Sequence, residues 1–155
     1  MEFRELVRLS EPHRASIWLI AAYLVHLAEE WFWGFPEWSR VIRGAGVSSQ
    51  QFMLINSVAL ALFISLGLMV RRRSGMAWFP AVLASVFVIN GVLHSLATLR
   101  YGVYSPGTVT GLLIFIPLGV LVLREMREHL SIARFAGCLV AGGVVHVFVT
   151  LIAFR

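Results

Sequence analysis

His26, Glu29 and Glu30 stand at i, i+3 and i+4 in an otherwise apolar run, so a helix would place an imidazole and two carboxyls on one face, extended by Tyr23 and Trp33. Asn90 and His94 repeat the i, i+4 spacing further on, Asn56 and His146 lie in two other apolar runs, and Gly142 and Gly143 precede His146 by about one turn. Imidazoles and carboxylates together are a ligand set for a divalent transition metal such as zinc or iron, because the carboxylate charge offsets that of the ion. On this reading His26, Glu29, Glu30, His94 and His146 are the candidate ligands, and Tyr23, Asn56 and Asn90 are supporting hydrogen-bonders. One ion held by His26, one of the Glu residues, His94 and His146 needs the fewest assumptions. Two ions would use the other Glu as a bridge. Without a metal, the same groups suit proton transfer, with Glu29, Glu30 and His94 as the acid and base groups.

The setting makes these residues informative. Of the 155 residues, 59% are apolar and only 14% charged, where an ordinary soluble domain is roughly 45–50% apolar and about a quarter charged. With a mean hydropathy of +0.82, a chain this short cannot cover itself with polar surface, which excludes a water-soluble globule and a disordered segment. Cys138, the single cysteine, excludes an internal disulfide framework and suits a small apolar core position. All thirteen bases are Arg and all eight acids are Glu. The pI near 10.7 does not point to nucleic acid, because the arginines are scattered between apolar runs rather than gathered on one face.

A bilayer core about 30 Å thick needs roughly 20 apolar residues per helix. Five runs qualify: residues 16–35, 51–70, 76–99, 106–123 and 134–154. The expected fold is therefore an all-α membrane protein, a single polytopic domain over residues 1–155 with about five transmembrane helices. Alternating connectors put nine arginines on the side of the N-terminus and four on the other. The positive-inside rule then sets the N-terminus in the cytoplasm and the C-terminus outside. Trp18 and Trp78 at inner boundaries, and Trp33, Trp38, Tyr101 and Tyr104 at outer ones, agree with that orientation. The stretch before Arg14 is too acidic and too poor in apolar residues for a cleaved signal, so the first span is expected to be retained. Residues 36–50 read as a short loop, Pro106 as part of the first turn of the fourth helix, and Pro117 as a kink within it. His13 and His129 fall in connectors and read as surface residues.

Depth then groups the polar residues. At about 1.5 Å per residue, Glu29, Glu30, Asn56 and His94 lie roughly 8 Å below the outer boundary and His26, Asn90 and His146 roughly 14 Å. An ionisable side chain at such depth costs at least ~2.5–3.5 kcal/mol unless it is paired or faces a cavity. Packing alone accounts well for a lone Asn and poorly for two adjacent Glu.

His26-Leu27-Ala28-Glu29-Glu30 is an H-x-x-E-E sequence and resembles the signature that names the HXXEE family of small bacterial multi-pass membrane proteins. Asn90-Gly91-Val92-Leu93-His94 resembles that family's Asn-x-x-x-His element, and Tyr104-Ser105-Pro106-Gly107 a further one. The resemblance covers the first span to at least the fourth. It implies a polytopic helical fold in a bacterial inner (cytoplasmic) membrane with a shared polar constellation, and it supplies no activity. From the residues, three classes remain: an enzyme, metal-dependent or using acid and base groups, acting on a lipid or other apolar substrate; a proton- or cation-coupled transporter or channel subunit; and a structural protein using the polar groups to join helices. The bilayer is the expected partner, nucleic acid is not, and assembly into a homo-oligomer stays open.

Overall fold

Pro12 opens the first helix, where its missing N–H costs nothing and its fixed φ suits the first turn. This helix, α1 (Pro12–Phe32), turns at Gly34, whose φ of +71° is a conformation that favours glycine. A short α2 (Phe35–Arg43) follows. Ser48 and Gln51 form a reciprocal capping box at the start of α3 (Ser49–Arg72). Beyond it come α4 (Trp78–Tyr101), α5 (Thr108–His129) and α6 (Ile132–Ala153). The computed structural model describes residues 11–44, 46–73 and 75–153, with helices and no strands among them. Arg4, Arg8 and Arg155, which enter the orientation argument, and Phe154 at the end of the fifth expected span lie outside the described residues.

Four helices, α3 to α6, are long and apolar enough to cross a membrane. Each overlaps one of the expected spans to within a few residues at its start, and α5 runs six residues past the expected end at residue 123. The first expected span is the exception. Its 21 residues reach roughly 31 Å at 1.5 Å each, yet α1 is not among the four. The reason is composition, since its last turns carry His26, Glu29 and Glu30 in place of apolar side chains. Residues 36–50 also depart from the expected loop, because most of the first half is α2. Phe35 and Trp38 on α2 pack inward while Glu37 and Arg40 pair outside.

α4 is the central helix, packed along its length on α5 and α6 and also touching α1 and α3. Small residues allow the approach. A Cβ at Gly91 of α4 would lie 2.8 Å from the Gly111 carbonyl oxygen of α5, and one at Gly142 of α6 would lie 2.6 Å from Ser85. Gly143, by contrast, faces open space. At the Gly91 contact α5 relaxes into a π-helical turn, Gly111–Phe115, just before Pro117. The expected Pro117 kink thus takes the form of a widened turn on its N-terminal side. That turn sets Phe115 face to face with Phe87 of α4, with centroids 3.9 Å apart. Outward, α3 exposes Leu54, Leu62 and Leu68, and α6 exposes Val140, Val144 and Phe148. Helices of a soluble protein would carry polar residues there.

Candidate metal centre

The buried stripe of α1 passes without a break from Ala15, Leu19, Ala22 and Tyr23 to His26, Glu29 and Glu30. The same 3.6-residue period that builds the core therefore carries ionisable groups into it. There His26, Glu30 and His94 converge, each offering a ligand atom within 4.8 Å of the other two. Glu30 Oε1 lies 3.6 Å from His26 Nε2 and 3.3 Å from His94 Nε2. The three side chains are close to fully enclosed, with residue exposures of 2% for His26, 7% for Glu30 and 7% for His94.

Each imidazole is held through its other nitrogen. His26 Nδ1 is 2.7 Å from the Thr110 hydroxyl and His94 Nδ1 is 3.1 Å from the Ser105 hydroxyl. This arrangement fixes ring orientation and turns both Nε2 atoms towards Glu30, as hydrogen-bonded histidines do at metal sites. Ring packing limits them further: His26 stacks on Phe115 at 4.2 Å, and Phe35 tilts against His94 at 5.5 Å. Gly107, with φ +102°, fills the space beside both rings, where a Cβ would come within 2.8 Å of each Cε1. His26 Nε2 is buried and has no hydrogen-bond partner. Two bare imidazole nitrogens and a carboxylate oxygen at these separations repel one another, so a proton or a cation has to lie among them.

Glu29, on the same face of α1, is engaged by a different set of groups. Its Oε1 accepts from the Gly107 and Val109 backbone N–H groups at 3.0 and 3.1 Å and from the Tyr104 hydroxyl, and its Oε2 accepts from Thr110 N–H at 2.7 Å. These donors are the start of α5, whose own sequence supplies no side-chain cap. A carboxylate from a different helix therefore satisfies the free N–H groups and meets the positive end of the helix dipole. Burial and then the adjacent Glu29 carboxylate push the Tyr104 phenol up to about 12, which keeps it a donor at neutral pH. Thr108 and Thr98 complete the seam. The Thr108 hydroxyl bonds to the Ser105 carbonyl at 2.6 Å and lies 2.8 Å from that of Thr98, which accepts Ser105 N–H at 2.9 Å.

Of the residues singled out by sequence, Tyr23, His26, Glu30, Asn56, Asn90, His94 and His146 line one cavity of about 530 Å³, and Glu29 does not. His146 is on its wall, outside the group of three. The Tyr23 hydroxyl donates to Asn56 Oδ1, and Asn56 Nδ2 donates to the Phe52 carbonyl at 2.8 Å, so this pair is satisfied within itself. Asn90 Oδ1 is buried without a partner. Apart from Glu29, the residues of the two depth layers read from sequence thus line one chamber. Sequence reasoning noted Ser105 and Gly107 only within a family element, without a chemical role, and passed over Thr108 and Thr110; these residues orient and enclose the imidazoles. The signal was available in the density of hydroxyls and glycines just before an apolar span.

The family described as "Protein of unknown function with HXXEE motif" matches residues 17–122, more than two thirds of the chain, and the match includes His26, Glu30, His94 and every residue of the Glu29 clamp. His146 and α6 lie beyond that match. A protein of Bacillus subtilis (strain 168), "Uncharacterized protein YrkK", is 32% identical over 111 residues, which cover 68% of this chain and 70% of that protein. No solved structure matches. The chain belongs to the HXXEE family, and His26, Glu29 and Glu30 are its name-giving motif.

Proposed function

We propose that this is a five-helix protein of the bacterial inner membrane, N-terminus inside, in which His26, Glu30 and His94 hold a zinc or iron ion within an apolar chamber and act on an apolar or lipid-like substrate. The observation that carries the reading is the convergence of two oriented Nε2 atoms, one of them buried and unpartnered, on a single carboxylate oxygen. α1 is the fifth span: its carboxylates and imidazole are turned inward, so its outward residues Ile17, Leu24, Val25 and Phe32 remain apolar. Two His and one carboxylate leave coordination positions open, and such an ion supplies a Lewis acid or an activated water. The chain's own residues do the rest. Thr110 and Ser105 hold the rings, Phe115 and Phe87 exclude water, and Asn90 offers an acceptor to a substrate hydroxyl or amine.

Several residues that line the chamber are also exposed, namely Leu93 and Leu96 of α4 and Val145 and Val149 of α6. This apolar rim supports entry from the bilayer rather than from water. Catalysis is favoured over transport because the chamber lining on α1 begins at Tyr23, and its earlier buried residues Ala15 and Leu19 belong to the packed core. A conduction path needs polar or hydrated steps along its whole length. A metal-free acid/base site is the second reading, favoured by the 3.3 Å approach of His94 Nε2 to Glu30, which suits a shared proton.

Elemental analysis of the purified protein beside His26→Ala and His94→Ala decides between them. Near-stoichiometric zinc or iron in the wild type, lost in both variants, is expected. Trace metal in all three would leave the acid/base reading. Ion-dependent uptake by proteoliposomes, abolished by Glu30→Gln, would move the protein to the transport class.

A further inference from the structure

The chamber follows one face of α4. Asn90, His94, Ala97 and Tyr101 stand at i, i+4, i+7 and i+11 with Arg100 alongside, and all five line it. At 1.5 Å per residue, Arg100 lies roughly 9 Å beyond His94 towards the end of the helix, and Asn90 roughly 6 Å to the other side. The polar groups are therefore spaced along the chamber, with apolar wall between them.

The end at Arg100 is built from donors. Arg100 is exposed, sits over the Tyr101 ring at 5.8 Å, and takes part in no ion pair among the described residues. Trp38 of α2, only 9% exposed, packs edge-on to Tyr101 at 6.0 Å, and its buried Nε1–H has no acceptor. Glu30 is the one acidic side chain among the lining residues, and it is engaged by the two imidazoles. The buried Trp38 N–H lacks an acceptor, which is unfavourable, and Trp38 and Arg100 both pack against Tyr101, so this end of the chamber suits an anion. Much of the rest of the wall is apolar, with Phe52, Phe63 and Phe87 near Tyr23, and it also carries Asn56, His146 and Thr150. At roughly 30 Å³ per water-sized group, 530 Å³ holds on the order of 18 such groups. That matches one apolar chain or a small ring system within the chamber.

We propose that the chamber binds a single-chain anionic amphiphile, its carboxylate or phosphate head at Arg100 and Trp38 and its apolar chain lying past His94 and Glu30 towards Phe63 and Phe87. This names the substrate class of the site proposed above and rests on that reading only in treating the ligand as a substrate. Binding itself needs no metal, because the head contacts are Arg100 and Trp38, which are separate from His26, Glu30 and His94.

Equilibrium binding of radiolabelled dodecanoate, dodecyl phosphate, 1-dodecanol and dodecyltrimethylammonium to the protein in phosphatidylcholine nanodiscs, corrected with empty nanodiscs, tests it. At least one anionic probe should bind saturably, one per protein, and at least 10-fold more tightly than the alcohol or the cation. The preferred anion identifies the head as carboxylate or phosphate. Arg100→Gln should weaken that probe at least 10-fold and leave 1-dodecanol unchanged, Arg100→Lys should recover part of the loss, and Trp38→Phe should cost about threefold or more. Arg100 is exposed, so its replacement removes no packing from the core. Equal binding of alcohol and anion, or an Arg100→Gln protein that binds the anion as the wild type does, would overturn the proposal. His26→Ala separates the two readings: anion binding that persists without metal supports the amphiphile site, and a wild type that binds anion but holds no metal refutes only the metal centre.

Discussion

Glu29 and Glu30 are adjacent, equally acidic and almost equally enclosed, at 8% and 7% exposure, yet from one face of α1 they meet different neighbours. Glu29 meets four donors from the segment that starts α5, three of them backbone N–H groups. Glu30 meets two imidazole nitrogens and the chamber. Backbone donors cannot leave or exchange, so the Glu29 side is finished as it stands and its product is a fixed loop. The Glu30 side is left short of positive charge, so it calls for a proton or an ion. A buried carboxylate is thus structural or reactive according to its neighbours, not its depth. The first region also serves the second, because Ser105, Gly107 and Thr110, which position the imidazoles, lie on the segment that Glu29 holds.

The largest effect should come from deleting the clamp. Glu29→Ala leaves buried N–H groups unpaired at ~1–3 kcal/mol each, so a loss of more than about 4 kcal/mol is expected, placing it among the exceptional single substitutions. Thermal unfolding in nanodiscs reads this, and a change below 1 kcal/mol would mean that the two carboxylates are interchangeable. Gly107→Ala ranks next. Its φ of +102° and the 2.8 Å approach to both imidazole Cε1 atoms combine backbone strain of order 1–3 kcal/mol with displacement of the rings, so stability and metal content should fall together. Ser105→Ala and Thr110→Val should act mainly on the second region. Each removes a hydroxyl that orients one imidazole, so metal affinity should drop ~10–100-fold while stability changes by only about 1 kcal/mol. Competition with a chromogenic chelator measures the first quantity, and unchanged affinity in both variants would show that the rings are oriented by packing alone.

Much of this arrangement was legible in the residues. The length of the apolar runs located α3 to α6, and the i, i+3, i+4 spacing placed His26, Glu29 and Glu30 on one helix face. The Asn90/His94 spacing put a second polar pair on another helix. What stayed hidden was the partner of each carboxylate. One face of a helix is wide enough for Glu29 and Glu30 to look into different neighbours, and the Glu29 donors lie 75 to 81 residues away along the chain, where no local pattern reaches. Depth put His146 level with His26, but depth says nothing of lateral distance, and the structure leaves it on the chamber wall. α2 was hidden for another reason. Its Pro, Gly and Ser neighbours read as a loop, although Phe35 and Trp38 already stood at a helical spacing of three.

The division of labour between the two carboxylates is tested most directly by measuring metal content and thermal midpoint together in Glu29→Gln and Glu30→Gln, with the wild type alongside. Glu30→Gln should keep a midpoint within a few degrees of the wild type and lose its metal, because an amide still fills the space but carries no charge to hold an ion. Glu29→Gln should unfold at a clearly lower temperature and keep its metal in the molecules that remain folded. Equal metal loss in both variants, or a Glu30→Gln protein that retains its ion, would contradict the account.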